Sequence, residues 1–172
     1  MRRLVWLTLL SLVTGLSTYA QTQALNPAYT KKLNQLYRKS VPVISPESLA
    51  IQLQKGPAPI LLDTRSPAEY RVSHLPGAIF ADYDHFDEAA AAHLDRKAPV
   101  VVYCTVGYRS ERIGERLQKM GFQDVHNLYG GIFEWVNTGH SVVGSDNQPT
   151  TRVHTYNQDW GKWLDKGEKV TR

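Results

Sequence analysis

The sequence of 172 residues contains one cysteine, Cys104. A single cysteine cannot form a disulfide within its own chain, so a disulfide-rich scaffold is excluded. The six histidines show no metal-ligand spacing, and we therefore expect no zinc site and no cofactor. No internal repeat or low-complexity block is present. Lysines and aromatic residues are scattered rather than arranged along one stripe, so we expect no nucleic-acid partner.

The first 20 residues, MRRLVWLTLLSLVTGLSTYA, have the three-part layout of a secretory signal peptide. Two arginines form the basic start, residues 4–16 are largely apolar, and small residues precede a cleavage site expected after Ala20 or Ala24. The apolar stretch is shorter than the ~20 residues that span a bilayer, so we expect no permanent membrane span. Loss of two arginines leaves 18 basic and 16 acidic side chains. Because of this signal-peptide layout, we expect a periplasmic or secreted protein.

Apolar runs typical of strands alternate with helix-like segments along residues 41–143. The predicted strands are VPVI (41–44), ILLDT (60–64), a short strand entered from the turn HLPGAI (74–79), APVVVYC (98–104) and DVHNL (124–128). The predicted helices are SPESLAIQL (45–53), SPAEY (66–70), YDHFDEAAAAHL (83–94), RSERIGERLQKMG (109–121) and GGIFEWVNTG (130–139). Ser66 and Glu69 fit a capping box at the start of the second of these helices. This alternation predicts an α/β domain with a central, mostly parallel five-stranded sheet and helices on both faces.

Two further segments flank this domain. Residues 21–40 place aromatic and apolar side chains on one face at helical spacing, which predicts an amphipathic helix against the domain. Residues 144–172 are more polar and carry Trp160 and Trp163. We expect a tail that packs over the domain and ends in a charged, frayed terminus. The tryptophan pair is more typical of a packing anchor than of a ligand platform, although an exposed pair would indicate a partner surface.

Cys104 ends the predicted central strand, and a helix is expected to begin a few residues later. Ligands of open α/β sheets bind beyond the carboxyl ends of the strands. Gly107 permits a sharp turn that aims backbone N–H groups inward, and Arg109 adds a planar cation. These features favour the thiolate and predict a nucleophilic cysteine of low pKa in an oxyanion cradle. The alternative is an inert core thiol, but such a thiol needs no cradle.

Four segments of the chain resemble the rhodanese-like family of sulfurtransferases, in the family's order. They are LLDTRSPAEY (61–70), SHLPGAI (73–79), VVYCTVGYRS (101–110) and GFQDVHNLYGGIFEW (121–135). Ser73 stands where the family usually has glycine, and the resemblance covers about residues 41–137. It implies a rhodanese-like fold in which Cys104 accepts a sulfur atom from a donor such as thiosulfate. The resulting persulfide would pass the sulfur to cyanide or another thiophile.

The resemblance also implies roles for the residues around Cys104. The backbone N–H groups that would hold the persulfide anion belong to Thr105, Val106, Gly107, Tyr108 and Arg109. The side chain of Arg109 would bind or orient the oxyanion of the donor, a small sulfur-containing anion. A thiol or a protein is the candidate acceptor. Supporting roles are expected for Asp63, Arg65 and Ser110, and the first two are more typical of a structural ion pair than of a substrate contact.

Two alternative functions remain open. Protein tyrosine phosphatases built on the same fold place five residues between cysteine and arginine, whereas this chain has four, Thr105–Tyr108. The smaller ring suits sulfur better, so a small phosphatase or arsenate reductase is less favoured. A persulfide carrier without turnover is the second alternative, because Arg109 is the only cation of the loop. We also expect His74 to form a structural hydrogen bond and Tyr108 to lie exposed beside the pocket.

Overall fold

The computed structural model describes residues 26–171, and a five-stranded sheet lies at its centre. Its strands are β1 Val43–Ile44, β2 Ile60–Asp63, β3 Ile79–Phe80, β4 Val100–Tyr103 and β5 Val125–Leu128. Their order across the sheet is β1-β5-β4-β2-β3, and every neighbouring pair is parallel. The α/β class and the five-stranded sheet predicted from the sequence are therefore confirmed.

Six helices accompany these strands within residues 26–141. They are α1 Pro27–Leu36, α2 Pro46–Lys55, α3 Pro67–Val72, α4 Glu88–Ala91, α5 Tyr108–Lys119 and α6 Gly131–Asn137. The first three begin with proline behind a capping residue, which suits the fixed φ and missing N–H of proline. The predicted capping box of Ser66 and Glu69 is present at the start of α3.

The helix predicted over residues 83–94 is wrong in length, because only the single turn Glu88–Ala91 is helical. Acidic side chains within this segment and directly before it form turns and caps instead of extending the helix. The side chain of Asp82 accepts the N–H of Asp84, and that of Asp87 accepts two N–H groups of the first turn. Short acidic side chains that bond nearby backbone compete with helix formation, which explains the late start of α4.

Two apolar clusters lie on opposite faces of the sheet. Val101 and Tyr103 of β4 belong to the cluster that contains residues of α1, α2 and α6, whereas Val100 and Val102 belong to the cluster that contains residues of α5. Successive strand residues point to opposite faces, so a strand buried on both faces is apolar throughout. Burial of each such side chain contributes roughly 1.5–3 kcal/mol. The same packing positions the carboxyl end of β4.

The C-terminal segment is folded rather than a plain tail. Its elements are β6 Val142–Val143, β7 Pro149–Thr150, β8 Arg152–His154, α7 Gln158–Gly161 and β9 Glu168–Val170. Strands β6 and β7 pair antiparallel, and β8 pairs parallel with β9. The expectation of a frayed terminus is wrong as far as Val170, since that residue is buried in β9. Backbone pairing with β8 supplies the order that the polar sequence did not indicate.

Only part of the N-terminal region to which the predictions apply lies within the described residues. The predicted signal peptide, residues 1–20, lies outside the described residues. Within residues 21–40, the predicted amphipathic helix corresponds to α1, which buries Tyr29 and Leu33. Among residues 26–171, no helix has both the length and the hydropathy needed to cross a bilayer.

Candidate active site

Cys104 directly follows β4, at the carboxyl edge of the parallel sheet, where open α/β sheets bind ligands. The residue is only 1% exposed, yet it lines a cavity of about 460 Å³. The thiol therefore lies buried at the wall of a cavity rather than in the closed core. Burial of Cys104 therefore does not make it the inert core thiol that was the alternative to a nucleophile.

The start of α6 holds the first half of the cysteine loop. The backbone N–H of Ile132 donates to the carbonyl of Cys104 at 2.9 Å, and that of Phe133 donates to the carbonyl of Thr105 at 3.3 Å. Gly131 has a φ of +59°, and a Cβ there would lie 2.3 Å from the Cys104 carbonyl oxygen. Only glycine permits this approach, which explains Gly131 as the first residue of α6.

Two polar side chains hold the second half of the loop. The hydroxyl of Tyr37 donates to the carbonyl of Val106 at 2.7 Å, and Nδ2 of Asn127 donates to the carbonyl of Gly107 at 3.0 Å. Because C=O and N–H point in opposite directions across a peptide, carbonyls held outward turn the loop N–H groups inward. The N–H of Gly107 accordingly lies 3.1 Å from Sγ of Cys104. The loop therefore forms a backbone cradle for an anionic sulfur.

The surroundings of Cys104 stabilise its thiolate. Burial raises the pKa of the thiol, but the guanidinium of Arg109 and hydrogen bonds from Ser110 and from the N–H of Val106 lower it. The net result is a pKa below the ordinary value for cysteine. Helix α5 begins behind Gly107 with no side-chain cap, so the N–H groups of its first turn remain directed at the cradle.

The guanidinium of Arg109 is already occupied. Its two terminal nitrogens donate to the two carboxylate oxygens of Glu69 at 2.8 and 2.7 Å. The hydroxyl of Thr105 also donates to Glu69, at 2.7 Å. Burial raises the pKa of Glu69, but the hydrogen bonds and charge of Arg109 outweigh it and lower the pKa to about 2. Arg109 was expected to face a donor oxyanion, and here a buried carboxylate takes that place.

Sequence reasoning missed Glu69 as a site residue. Its role in the capping box of α3 is correct, because the backbone N–H of Ser66 donates to Glu69 at 3.0 Å. The same carboxylate pairs with Arg109, which lies 40 positions further along the chain. No local spacing links the two residues, so only the packing of α3 against the cysteine loop reveals the pair.

Asp63 and Arg65 form a closed ion pair beside the site. Nη2 of Arg65 lies 2.6 Å from Asp63, both side chains are fully buried, and neither residue lines the Cys104 cavity. Nη2 of Arg65 also donates to the carbonyl of Ser73. His74 stacks on Tyr70 with ring centroids 4.0 Å apart, and its Nδ1 lies 3.1 Å from the Tyr70 carbonyl oxygen. The ion pair and the His74 hydrogen bond expected from the sequence are therefore both present.

The cavity collects side chains from distant parts of the chain. Besides residues of the cysteine loop and Glu69, its lining consists of Leu36, Ser66, Tyr83, Asp84, Tyr156 and Trp160. Tyr108 is exposed at the rim, as expected, with the guanidinium carbon of Arg112 4.1 Å from its ring centre. Ser110 lies fully buried behind the loop and donates to Asn127 at 2.7 Å. Within residues 26–171, no group of three metal-ligating side chains converges as a metal site requires.

The family model described as "Rhodanese-like domain" matches residues 45–138. Among solved structures, the rhodanese-like domain of an Anabaena sp. protein is 26% identical with a TM-score of 0.55, covering 60% of this chain and 79% of that one. A rhodanese-related protein from Thermoplasma volcanium is also 26% identical, with a TM-score of 0.53, covering 59% of this chain and 97% of that one. These matches agree with the fold described above.

Curated relatives share a similar part of the chain. A protein named tRNA uridine(34) hydroxylase from Chlamydia trachomatis is 33% identical over 99 residues, which are 54% of this chain and 30% of the relative. A protein of the same name from Streptococcus pyogenes is 42% identical over 78 residues, which are 42% of this chain and 24% of the relative. The chain therefore spans less than a third of the length of these relatives.

Proposed function

The chain belongs to the rhodanese-like domain family, and from that membership we propose that it transfers a sulfane sulfur through a persulfide on Cys104. One observation carries the proposal. The carbonyls of residues 104–107 are all held outward, so the N–H groups of the loop surround a thiol whose pKa is lowered. A sulfur atom added to Sγ would lie among these N–H groups as an anion.

The proposed reaction has two steps. The Cys104 thiolate attacks the outer sulfur of the donor, whose sulfur–sulfur bond breaks; thiosulfate would release sulfite and leave a persulfide on Cys104. In the second step, cyanide or a thiolate attacks the outer sulfur of that persulfide, and the Cys104 thiolate departs with the electron pair of the broken bond. The attacking groups are already anionic, so neither step needs a general base.

Intact mass spectrometry tests this proposal directly. Incubation with thiosulfate should add the mass of one sulfur atom to the wild-type protein and none to Cys104→Ser. Subsequent cyanide should release thiocyanate and restore the original mass. If no sulfane donor loads Cys104, transfer and carriage of sulfur are both overturned.

The persulfide carrier is a second candidate, and the pairing of Arg109 with Glu69 favours it. The cation that would attract a dianionic donor is neutralised by a carboxylate that accepts both of its terminal nitrogens. A loaded Cys104 that yields no repeated turnover with cyanide would support the carrier, whereas many turnovers per protein would overturn it.

We also propose that the protein acts outside the cytoplasm, after removal of residues 1–20. The basic start, the apolar stretch and the small residues near Ala20 and Ala24 support this proposal. Sequencing the N-terminus of the protein from a periplasmic fraction should show cleavage after one of these alanines. Recovery of the chain with Met1 from the cytoplasm alone would overturn it.

The relatives named tRNA uridine(34) hydroxylase bear on this chain only through their shared segment. We propose that the rhodanese-like domain, rather than tRNA hydroxylation, is what the proteins have in common, since less than a third of each relative is matched. A binding assay with unmodified tRNA should show no affinity beyond that of a random RNA. Specific, saturable binding of tRNA would overturn this proposal.

A further inference from the structure

One wall of the Cys104 cavity lies outside the segment that matches the family. Leu36 is the last residue of α1, and Tyr156 and Trp160 belong to the C-terminal segment, whereas the match covers residues 45–138. We call these three residues the flank wall. They present aliphatic and aromatic surface to the cavity, so the segments around the domain shape its site.

Contacts between the flanking segments and the start of α6 link the flank wall indirectly to the cysteine loop. Trp163 stacks on Tyr29 of α1 with ring centroids 5.3 Å apart, and Nζ of Lys32 lies 5.5 Å from the ring centre of Trp160. The hydroxyl of Tyr29 donates to the carbonyl of Gly130 at 2.9 Å, immediately before the α6 residues that hold the loop. These contacts fix the position of the wall relative to Cys104.

Tyr156 is held in an unusual backbone conformation at the rim. Its φ is +64°, in the left-handed region that residues with a bulky side chain seldom adopt. The residue is 58% exposed, and its ring centre lies 5.7 Å from the guanidinium carbon of Arg109. Strained residues of this kind cluster at ligand-binding sites. A ring kept exposed beside the site cation is therefore well placed to contact a bound molecule.

The charges in the cavity disfavour a small dianion such as thiosulfate. Arg109 is the one cation among the described residues that line the cavity, and Glu69 neutralises it. Asp84 contributes a second carboxylate to the lining, and the Cys104 thiolate adds a third negative charge. A dianion that approaches the cradle meets net repulsion from the charged side chains of the lining, and a singly charged or neutral donor meets less.

The size and lining of the cavity favour a larger, less charged donor. Its volume of about 460 Å³ lies within the range of roughly 300–1,000 Å³ that is typical of sites for small organic molecules. Resting on the proposed sulfur transfer, we infer that the donor is an organic sulfane-sulfur compound whose apolar or aromatic body lies against the flank wall. Inorganic thiosulfate is then a poor donor for this protein.

An organic donor of this kind passes its terminal sulfur atom to Cys104 by a single displacement. The Cys104 thiolate attacks the terminal sulfur of an organic persulfide, R–S–SH, and a sulfur–sulfur bond forms on Cys104. The bond between the two donor sulfurs breaks, and the thiolate R–S⁻ leaves with its electron pair. With an organic thiosulfonate, R–SO₂–S⁻, the same attack releases the sulfinate R–SO₂⁻.

Two thiosulfonates provide a matched pair of probes. Benzenethiosulfonate and methanethiosulfonate carry the same reactive group and the same single charge, and they differ only in the body. Intact mass gives the rate at which each probe, and thiosulfate, loads sulfur onto Cys104. Each rate is then divided by the rate at which the same donor reacts with free cysteine. The normalised rate should be about tenfold higher for the benzene compound than for the methane compound, and lowest for thiosulfate.

Variants of the wall separate its role in specificity from a structural role. Tyr156→Asn removes the ring and keeps a residue that tolerates the left-handed region. It should slow loading by the benzene probe about fivefold more than loading by the methane probe. Trp160→Ala should act in the same direction. Phe80→Ala, which removes an exposed aromatic ring that does not line this cavity, should change neither rate.

The outcomes distinguish this inference from the proposed function. Loading by every donor with no preference for the benzene body, or with thiosulfate fastest, overturns the inference and leaves sulfur transfer standing. An equal loss for all donors in Tyr156→Asn shows a structural wall and also overturns the inference. Failure of every donor to load Cys104 overturns the proposed function itself.

Discussion

Two arginine–carboxylate pairs lie near the carboxyl edge of the sheet, and they differ in access. The side chains of Asp63 and Arg65 are completely buried. In the second pair, the side chain of Glu69 is 1% exposed, but that of Arg109 is 19% exposed and lines the cavity of Cys104. The chemistry of the two pairs is the same. Contact with the cavity, rather than residue type, separates a structural brace from a group that affects the reacting thiol.

The largest expected effect tests the closed pair. Asp63→Asn leaves the charge of Arg65 buried without its partner, so the free energy of unfolding should fall by about 3–5 kcal/mol. Chemical denaturation measures this change. Asp159→Asn, at an exposed position, should change stability by less than about 0.5 kcal/mol. Equal effects of the two substitutions would contradict the role of Asp63 as the buried partner of Arg65.

A smaller effect is expected when the accessible pair is broken. Glu69→Gln keeps the side-chain shape and a residue compatible with the capping box, but removes the negative charge that holds Arg109. The freed guanidinium should raise the rate of Cys104 loading by thiosulfate about tenfold, and high salt should weaken the gain. Intact mass against time measures both rates. An unchanged rate would show that Glu69 does not limit access of the anion to Arg109.

The charge of Arg109 also supports a prediction about the thiol. Arg109 lowers the pKa of Cys104, so Arg109→Gln should shift the midpoint of alkylation by iodoacetamide to higher pH. Alkylation rates measured across a pH series provide the midpoint. Arg116→Gln, in which an exposed arginine paired with Glu88 is replaced, is the matched control and should leave the midpoint unchanged. A shift of the same size in both variants would argue against a specific role of Arg109.

The smallest effect concerns a buried carboxylate that takes part in no ion pair identified within residues 26–171. Burial raises the pKa of Glu134 to about 7, and the negative charges of Glu47 and Asp165 add to this effect. A carboxyl whose pKa is higher in the folded state contributes stability below its unfolded pKa, and that contribution is lost as the pH rises through 7.

Relative to wild type, Glu134→Gln should therefore gain about 1 kcal/mol more free energy of unfolding at pH 8 than at pH 5. Denaturation of wild type and variant at the two pH values measures the difference. Glu69→Gln, by contrast, should change the free energy of unfolding equally at pH 5 and pH 8, because a pKa lowered to about 2 keeps Glu69 ionised at both. A Glu134 variant that behaves alike at both pH values would contradict the raised pKa.

Prediction from sequence succeeded where the signal was local. Apolar runs and capping residues located all five strands of the sheet and the start of α3, because strand burial and helix capping depend on neighbours within a few positions. Local competition also explains the failure over residues 83–94. There the acidic side chains bonded nearby backbone and shortened α4.

The sequence by itself determined that a cysteine ends the central strand, that Gly107 permits the turn behind it, and that a helix follows. Only the tertiary structure decided that Glu69 occupies Arg109, that Tyr37 holds the loop from α1, and that Tyr156 and Trp160 line the cavity. The physical reason is how far apart in the sequence the contacting residues lie. Caps, turns and strand periodicity are set by adjacent residues, whereas contacts between residues tens of positions apart exist only once the elements have packed.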